Sequence, residues 1–132
     1  MGGFTLVELL IVVAIIAILA AIAIPHMQSS SMKAARAAML SDARNATSHE
    51  EAYFLENQTY LAIAAITGPA LVPIGSGAVN VSRGNTLEVS AGGSGITDSY
   101  VMTVSNPRAG AGMSPLTRTT DGSCSWADGS AC

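Results

Sequence analysis

Glu8 is the only charged side chain in the first 24 residues, and it stands in a run that is otherwise almost wholly apolar. A carboxylate there is costly to remove from water, so it reads as functional and requires a partner. Other groups capable of chemistry are scattered. Cys124 and Cys132 have seven residues between them; an oxidising compartment would let them close a small loop, whereas a cytosolic tail would carry two free thiols. His26 and His49 are 23 positions apart, without metal-ligand spacing, and read as surface residues. Asp121 and Asp128 lie in a glycine-containing stretch with no D-x-D-x-D loop, so they read as turn aspartates rather than calcium ligands. No Ser, Cys or His stands in a recognisable catalytic motif, so neither enzymatic activity nor a metal or cofactor is expected. Asn57-Gln-Thr and Asn80-Val-Ser fit the glycosylation pattern, which is weak, and read as accidents.

The element that must position Glu8 is a helix. From Leu9 to Ile24 every residue is apolar, and the stretch from Phe4 to Ile24 is interrupted only by Thr5 and Glu8. At about 1.5 Å per residue such a helix is roughly 30 Å long, the thickness of a bilayer's hydrocarbon core. No Gly occurs from Phe4 to Thr67, and Pro25 is the only Pro in that span. One long helix is the simple reading, with Pro25 as a kink or boundary where the apolar run ends.

Beyond Pro25 the pattern becomes amphipathic. Met32, Ala35, Met39, Ala43, Ala46, Glu50 and Tyr53 recur at spacings of three and four, a stripe that seeks a core. Lys33, Arg36, Asp42, Arg44, Glu51 and Glu56 fall mostly off the stripe, and Glu50 marks its solvent edge. The helix is expected to end near Asn57. Eleven of the thirteen glycines and four of the five prolines lie from Gly68 onward, which excludes a second long helix. Strands are expected at Thr86–Ala91, Tyr100–Ser105 and Ser123–Ala127, forming a small antiparallel sheet over the helix stripe, with Trp126 packed beside the Cys-bounded loop.

Charge is sparse and evenly spread, and the net charge of -3 carries no basic footprint, so nucleic-acid binding is not expected. The few aromatics do not make a stacking platform. A conventional secretory signal has basic residues ahead of its apolar core; here none precedes Phe4. Ala20, Ala21 and Ala23 nonetheless imitate a cleavage site, so an ordinary signal stays an alternative to an anchor.

The sequence Gly3-Phe4-Thr5-Leu6-Val7-Glu8, followed by an unbroken apolar run to Pro25, resembles the N-terminal segment of type IV pilins and related pseudopilins. The resemblance covers about the first 25 residues closely. It implies cleavage after Gly3 by a prepilin peptidase, usually N-methylation of Phe4, and assembly by an inner-membrane platform with a cytoplasmic ATPase. The new amine on Phe4 would then meet Glu8 of a neighbouring subunit and set axial register. Alternatively, Glu8 snorkels to the interface. Two features depart from the family: Met-Gly-Gly is short and lacks the usual basic residue, and Ala17 occupies a position often held by Gly, which makes helix melting between Ala17 and Pro25 less favourable.

The expectation is therefore an α+β pilin fold. Residues 1–3 form a leader remnant, 4–25 a transmembrane and filament-core half-helix, 26–58 an amphipathic half-helix, and 59–132 a β-rich region with a Cys124–Cys132 closure. The site residues are Gly3 and Phe4 for processing, and Phe4, Glu8 and Pro25 for assembly. The expected partner is the chain itself in a helical homopolymer, with the membrane as host before assembly and an extracellular filament after it. A pseudopilin of a secretion or DNA-uptake system is the runner-up, and a monomeric membrane-anchored binding domain is the rival from another class.

Overall fold

A computed structural model describes residues 3–132, so Met1 and Gly2 of the expected leader lie outside the described residues. One helix and seven strands follow in the order α1 (Leu6–Asn57), β1 (Ile63–Thr67), β2 (Ala70–Ile74), β3 (Gly77–Val81), β4 (Thr86–Ala91), β5 (Tyr100–Ser105), β6 (Leu116–Thr119) and β7 (Cys124–Trp126). The chain divides into two compact units, Met1–Ser31 and Met32–Cys132. Pro25 lies inside α1 and does not bound it.

The first unit holds the apolar start of α1. Its β-branched and leucine side chains have no polar face, so the helix there is apolar all round.

In the second unit α1 lays a narrow face of small residues on the sheets. Met39, Ala43 and Ala46 are completely buried and Ala35 nearly so, while Met32 and Tyr53 at the ends of the stripe are half-buried. The buried residues among these join the strand side chains in one cluster. Facing them are Leu87 and Val89 of β4, Tyr100, Met102 and Val104 of β5, and Leu116 of β6. Each follows the period of two that sends alternate strand side chains to one face. Full burial of each Val, Leu or Met contributes about 1.5–3 kcal/mol.

The expected three strands become seven, in two antiparallel sheets. The larger has the order β1-β4-β5-β6-β7, and β2 and β3 form a separate pair. β4 and β5 fall on the expected residues, and β7 lies within its expected range. β1 escapes an alternation test because its register to β4 slips between Ile63 and Ile66, which pair with Val89 and Leu87. Three positions on one strand match two on the other, a bulge that changes the period. β2 contains Pro73, which argues against a central strand, and here it lies exposed in a two-stranded sheet. Gly75, at φ 59°, opens the two-residue turn to β3 and meets the positive φ that a type II′ hairpin needs at its first position.

Three polar residues of α1 depart from expectation. Asp42, placed off the stripe by its polarity, is 2% exposed. Its Oδ2 accepts from Ser82 N at 2.8 Å and Asn85 Nδ2 at 2.6 Å, and its Oδ1 accepts from Ser82 Oγ at 2.8 Å. Asn85 Oδ1 in turn accepts from Asn106 Nδ2 at 2.6 Å, and Asn106 Oδ1 accepts from Arg108 N at 2.9 Å. This buried chain ties the helix to the β3–β4 and β5–β6 connections, and Arg36 adds a bond from Nε to Ala109 O at 2.7 Å. Glu50, expected at the solvent edge, is fully buried. His49 is half-buried, with its ring against Gly77, and is not a plain surface residue.

The helix stops as expected at Asn57, by a device the sequence hides. Gln58 adopts φ 56°, and its N–H donates to Phe54 O at 2.8 Å. That single bond with a left-handed residue is the αL C-cap, a position usually given to Gly.

At the C-terminal end Cys124 and Cys132 form a disulfide with their Cα atoms 5.4 Å apart. Cys132 N donates to Cys124 O, and Ser125 bridges Ala131, so the closure sits on a short hairpin beyond β7. Trp126, half-buried, packs against the core there. Asp121 accepts from Thr119 Oγ1 and Ser123 N, and Asp128 accepts from Ser130 N and Oγ. Both are engaged in turns, and among the described residues no cluster of His, Cys, Asp or Glu has a metal-holding arrangement.

Candidate functional site

From Leu6 to Ile24 the large apolar side chains of α1 keep between 52% and 74% of their surface exposed, and Phe4 is 94% exposed. Exposed apolar surface carries a free-energy cost of about 25 cal/mol per Å² in water, and a continuous patch of this kind marks contact with a membrane or a partner. The helix is long and apolar enough to cross a membrane, and the stretch with that character lies near the N-terminus.

Glu8 lies one turn into this helix, and its partner is local. Thr5 N and Thr5 Oγ1 both donate to Glu8 Oε2 at 2.8 Å, and Glu8 N donates to Thr5 Oγ1 at 3.2 Å. Thr5 is the N-cap and Glu8 the third helical residue, so the pair forms a capping box that satisfies two of the free N–H groups at the helix start. The negative side chain also complements the positive end of the helix dipole. Sequence reasoning sought the partner of Glu8 outside the chain and missed Thr5. The T-x-x-E spacing of Thr5-Leu6-Val7-Glu8 was the available signal. Both bonds fall on Oε2, and among the described residues none falls on Oε1.

The other site residues do not gather around Glu8. Phe4 precedes the cap, with its ring in the open. Gly3 is exposed, and a Cβ built there meets nothing within 4 Å, so no local packing demands glycine. Pro25 lies 17 residues beyond Glu8, about 25 Å along a helix. Cys124 and Cys132 belong to the other unit.

A family model described as the prokaryotic N-terminal methylation motif matches residues 1–24, the stretch that contains Gly3, Phe4, Thr5 and Glu8. The chain is also 40% identical over 73 residues to the type IV wide pilus major component PilA4 of Thermus thermophilus. These findings support membership of the type IV pilin family. The similarity to that pilin runs well past the methylation motif, though it covers 55% of this chain and 53% of the relative, so the chain spans about half the length of the pilin it matches. No solved structure matches. The pilin fold expected from the sequence, a long N-terminal apolar helix with a small antiparallel sheet, is the architecture described above.

Proposed function

We propose that the chain is a structural subunit of a type IV pilus, polymerising through the apolar start of α1. The observation that carries this reading is the surface from Phe4 to Ile24, apolar on every side and exposed along its whole length. In a bilayer that surface meets lipid; in a filament it meets the same segment of other copies. On this reading residues 1–3 are leader, 4–25 anchor and filament core, 26–58 the half of α1 that carries the sheet, and 59–132 the β-rich surface. The role is structural rather than enzymatic.

Processing follows from the same segment. Gly3 has no packing reason to be glycine, which supports its being read by a prepilin peptidase, with Phe4 as the mature and methylated N-terminus. The amine so created is a donor for Glu8 Oε1 of a neighbouring copy, while Oε2 stays with the Thr5 cap. Glu8 would then serve its own helix and the next subunit at once. An inner-membrane assembly platform would take up the anchored subunits and deliver them to the extracellular filament.

The experiment compares membrane-bound subunit with sheared surface filament for the parent and Glu8→Ala at matched expression. Expected is an intact membrane pool with filament lost, together with parental filaments whose intact mass begins at Phe4. Normal filament yield from Glu8→Ala would remove Glu8 from assembly. A mass that includes Met1, or that begins beyond Ala20, would overturn the processing step. Short filaments confined to the envelope would point to a pseudopilin.

A further inference from the structure

Glu50 is a carboxylic acid with no exposed surface, and its surroundings suit the neutral form better than the charged one. Oε2 accepts from Leu61 N at 2.9 Å. Oε1 is buried and has no hydrogen-bond partner among the described residues. The titratable and charged groups facing this cluster come from each element packed there. Glu51 is the neighbour on α1, Tyr60 lies in the segment leading to β1, Tyr100 is on β5, and Arg118 is on β6. Glu51 adds negative charge, and the two tyrosines present uncharged phenol rings. The rings of Phe54 and Tyr60 stack at 4.6 Å, and Tyr60 meets Tyr100 edge-on at 4.8 Å. The Tyr100 hydroxyl is itself buried without a partner, as is Arg118 Nε. Burial and Glu51 act against the Glu50 carboxylate, and the Leu61 amide favours it.

The Glu50–Leu61 bond spans the joint at which α1 ends and the β region begins. Across it the chain turns at Gln58, and Tyr60 N donates to Ile96 O at 3.0 Å. An ionised Glu50 can reach water only if this joint loosens. We propose that Glu50 is a proton-operated latch, closed when its carboxyl is protonated beneath the 58–62 joint and released when it ionises.

Burial, reinforced by Glu51 and only partly offset by the Leu61 bond, pushes the Glu50 carboxyl above its ordinary value of 4.5. The folded state therefore binds a proton that the unfolded state has already lost. The latch's contribution is complete below about pH 4.5 and is lost as pH rises through the folded-state value. This inference rests on the unit Met32–Cys132 and is independent of whether the chain polymerises.

The test uses the full-length chain in detergent micelles. Carbon NMR follows the Glu50 carboxyl, and amide hydrogen exchange follows Leu61. Expected is a Glu50 midpoint above its ordinary value of 4.5. As pH rises from about 4.5 through that midpoint, Leu61 protection should fall by about ten-fold for each pH unit that separates the folded and unfolded midpoints. Glu50→Gln should keep Leu61 protected and flatten its pH dependence. A Glu50 midpoint at or below 4.5 overturns the proposal. So does a Leu61 protection that ignores the titration, or a Glu50→Gln profile parallel to the parent. Should Glu50→Gln fail to fold, the parental titration and exchange decide the matter alone.

Discussion

Replacing Asp42 tests whether the second unit is held together by satisfied buried polarity as well as by its apolar core. The carboxylate is 2% exposed and accepts three hydrogen bonds of 2.6 to 2.8 Å. Asp42→Ala removes all three acceptors. Asn85 is completely buried, so its amide would lose a partner with no water to replace it, at about 2–3 kcal/mol. Ser82 is half-buried, and its two donors can recover part of their solvation, at about 0.5–1 kcal/mol each. The expected loss is about 4 kcal/mol, a large part of the 5–15 kcal/mol that holds a typical domain. Asp42→Asn discriminates the cause. Its carbonyl oxygen can take the Oδ2 position, where two of the donors converge, and its amide can face the Ser82 hydroxyl, which turns to accept. The loss should then be about 1 kcal/mol. The assay is denaturant unfolding of the full-length chain in detergent, followed by Trp126 fluorescence. Equal damage from both variants would show that charge, not bond satisfaction, matters at this site. A loss below about 1 kcal/mol for Asp42→Ala would refute the network's role altogether.

Gln58→Gly removes the strain of a left-handed non-glycine cap and should stabilise the chain by about 0.5–1 kcal/mol; a decrease in unfolding midpoint would contradict the cap geometry. Replacing Cys124 and Cys132 together by Ser should cost about 2.5 kcal/mol from the reopened loop, with hydrogen exchange rising in β7 before β4 or β5. Uniform loosening of all strands would count against a local role. Bonds from Thr119 and Ser123 lower the Asp121 carboxyl from 3.8 to about 2, so its support of the β6–β7 turn should be complete above pH 3.8 and be lost progressively as pH falls from there through about 2; an NMR midpoint near 3.8 would remove that assignment.

What was legible in the sequence was whatever is encoded locally. The run from Leu9 to Ile24, the absence of glycine from Phe4 to Thr67, the alternation in Thr86–Ala91 and the β-favouring cluster in Tyr100–Ser105 each specify an element from neighbours alone. Features that depend on a distant partner were hidden. Asp42 reads as solvent-facing because its acceptors' partners, Ser82 and Asn85, lie 40 and 43 residues away. The bulge in β1 is a relation between two strands, and Ile63-Ala-Ala-Ile66 viewed alone has neither strand nor helix period. Gln58 conceals a cap because the conformation, not the residue type, makes it one. The Thr5–Glu8 box was an exception, local and legible, yet obscured by the question of what lies across from Glu8.

The two carboxylates of α1 at Glu8 and Glu50 separate the demands of assembly from those of folding. Each accepts a backbone N–H on Oε2, and among the described residues neither Oε1 accepts a hydrogen bond. Glu50 is enclosed by its own chain, so its free oxygen can be relieved only by a proton or by opening the joint. Glu8 is exposed, and among the described residues only Thr5 donates to its carboxylate. Within an apolar surface that must be covered, relief at Oε1 has to come from whatever does the covering. Lipid tails offer no donor, so in a membrane that oxygen depends on water or headgroups at the interface. On the processing proposed above, a neighbouring Phe4 amine would supply both a donor and the opposite charge. A bundle in which each apolar helix brought its amine to the next subunit's carboxylate would then meet the requirement without water.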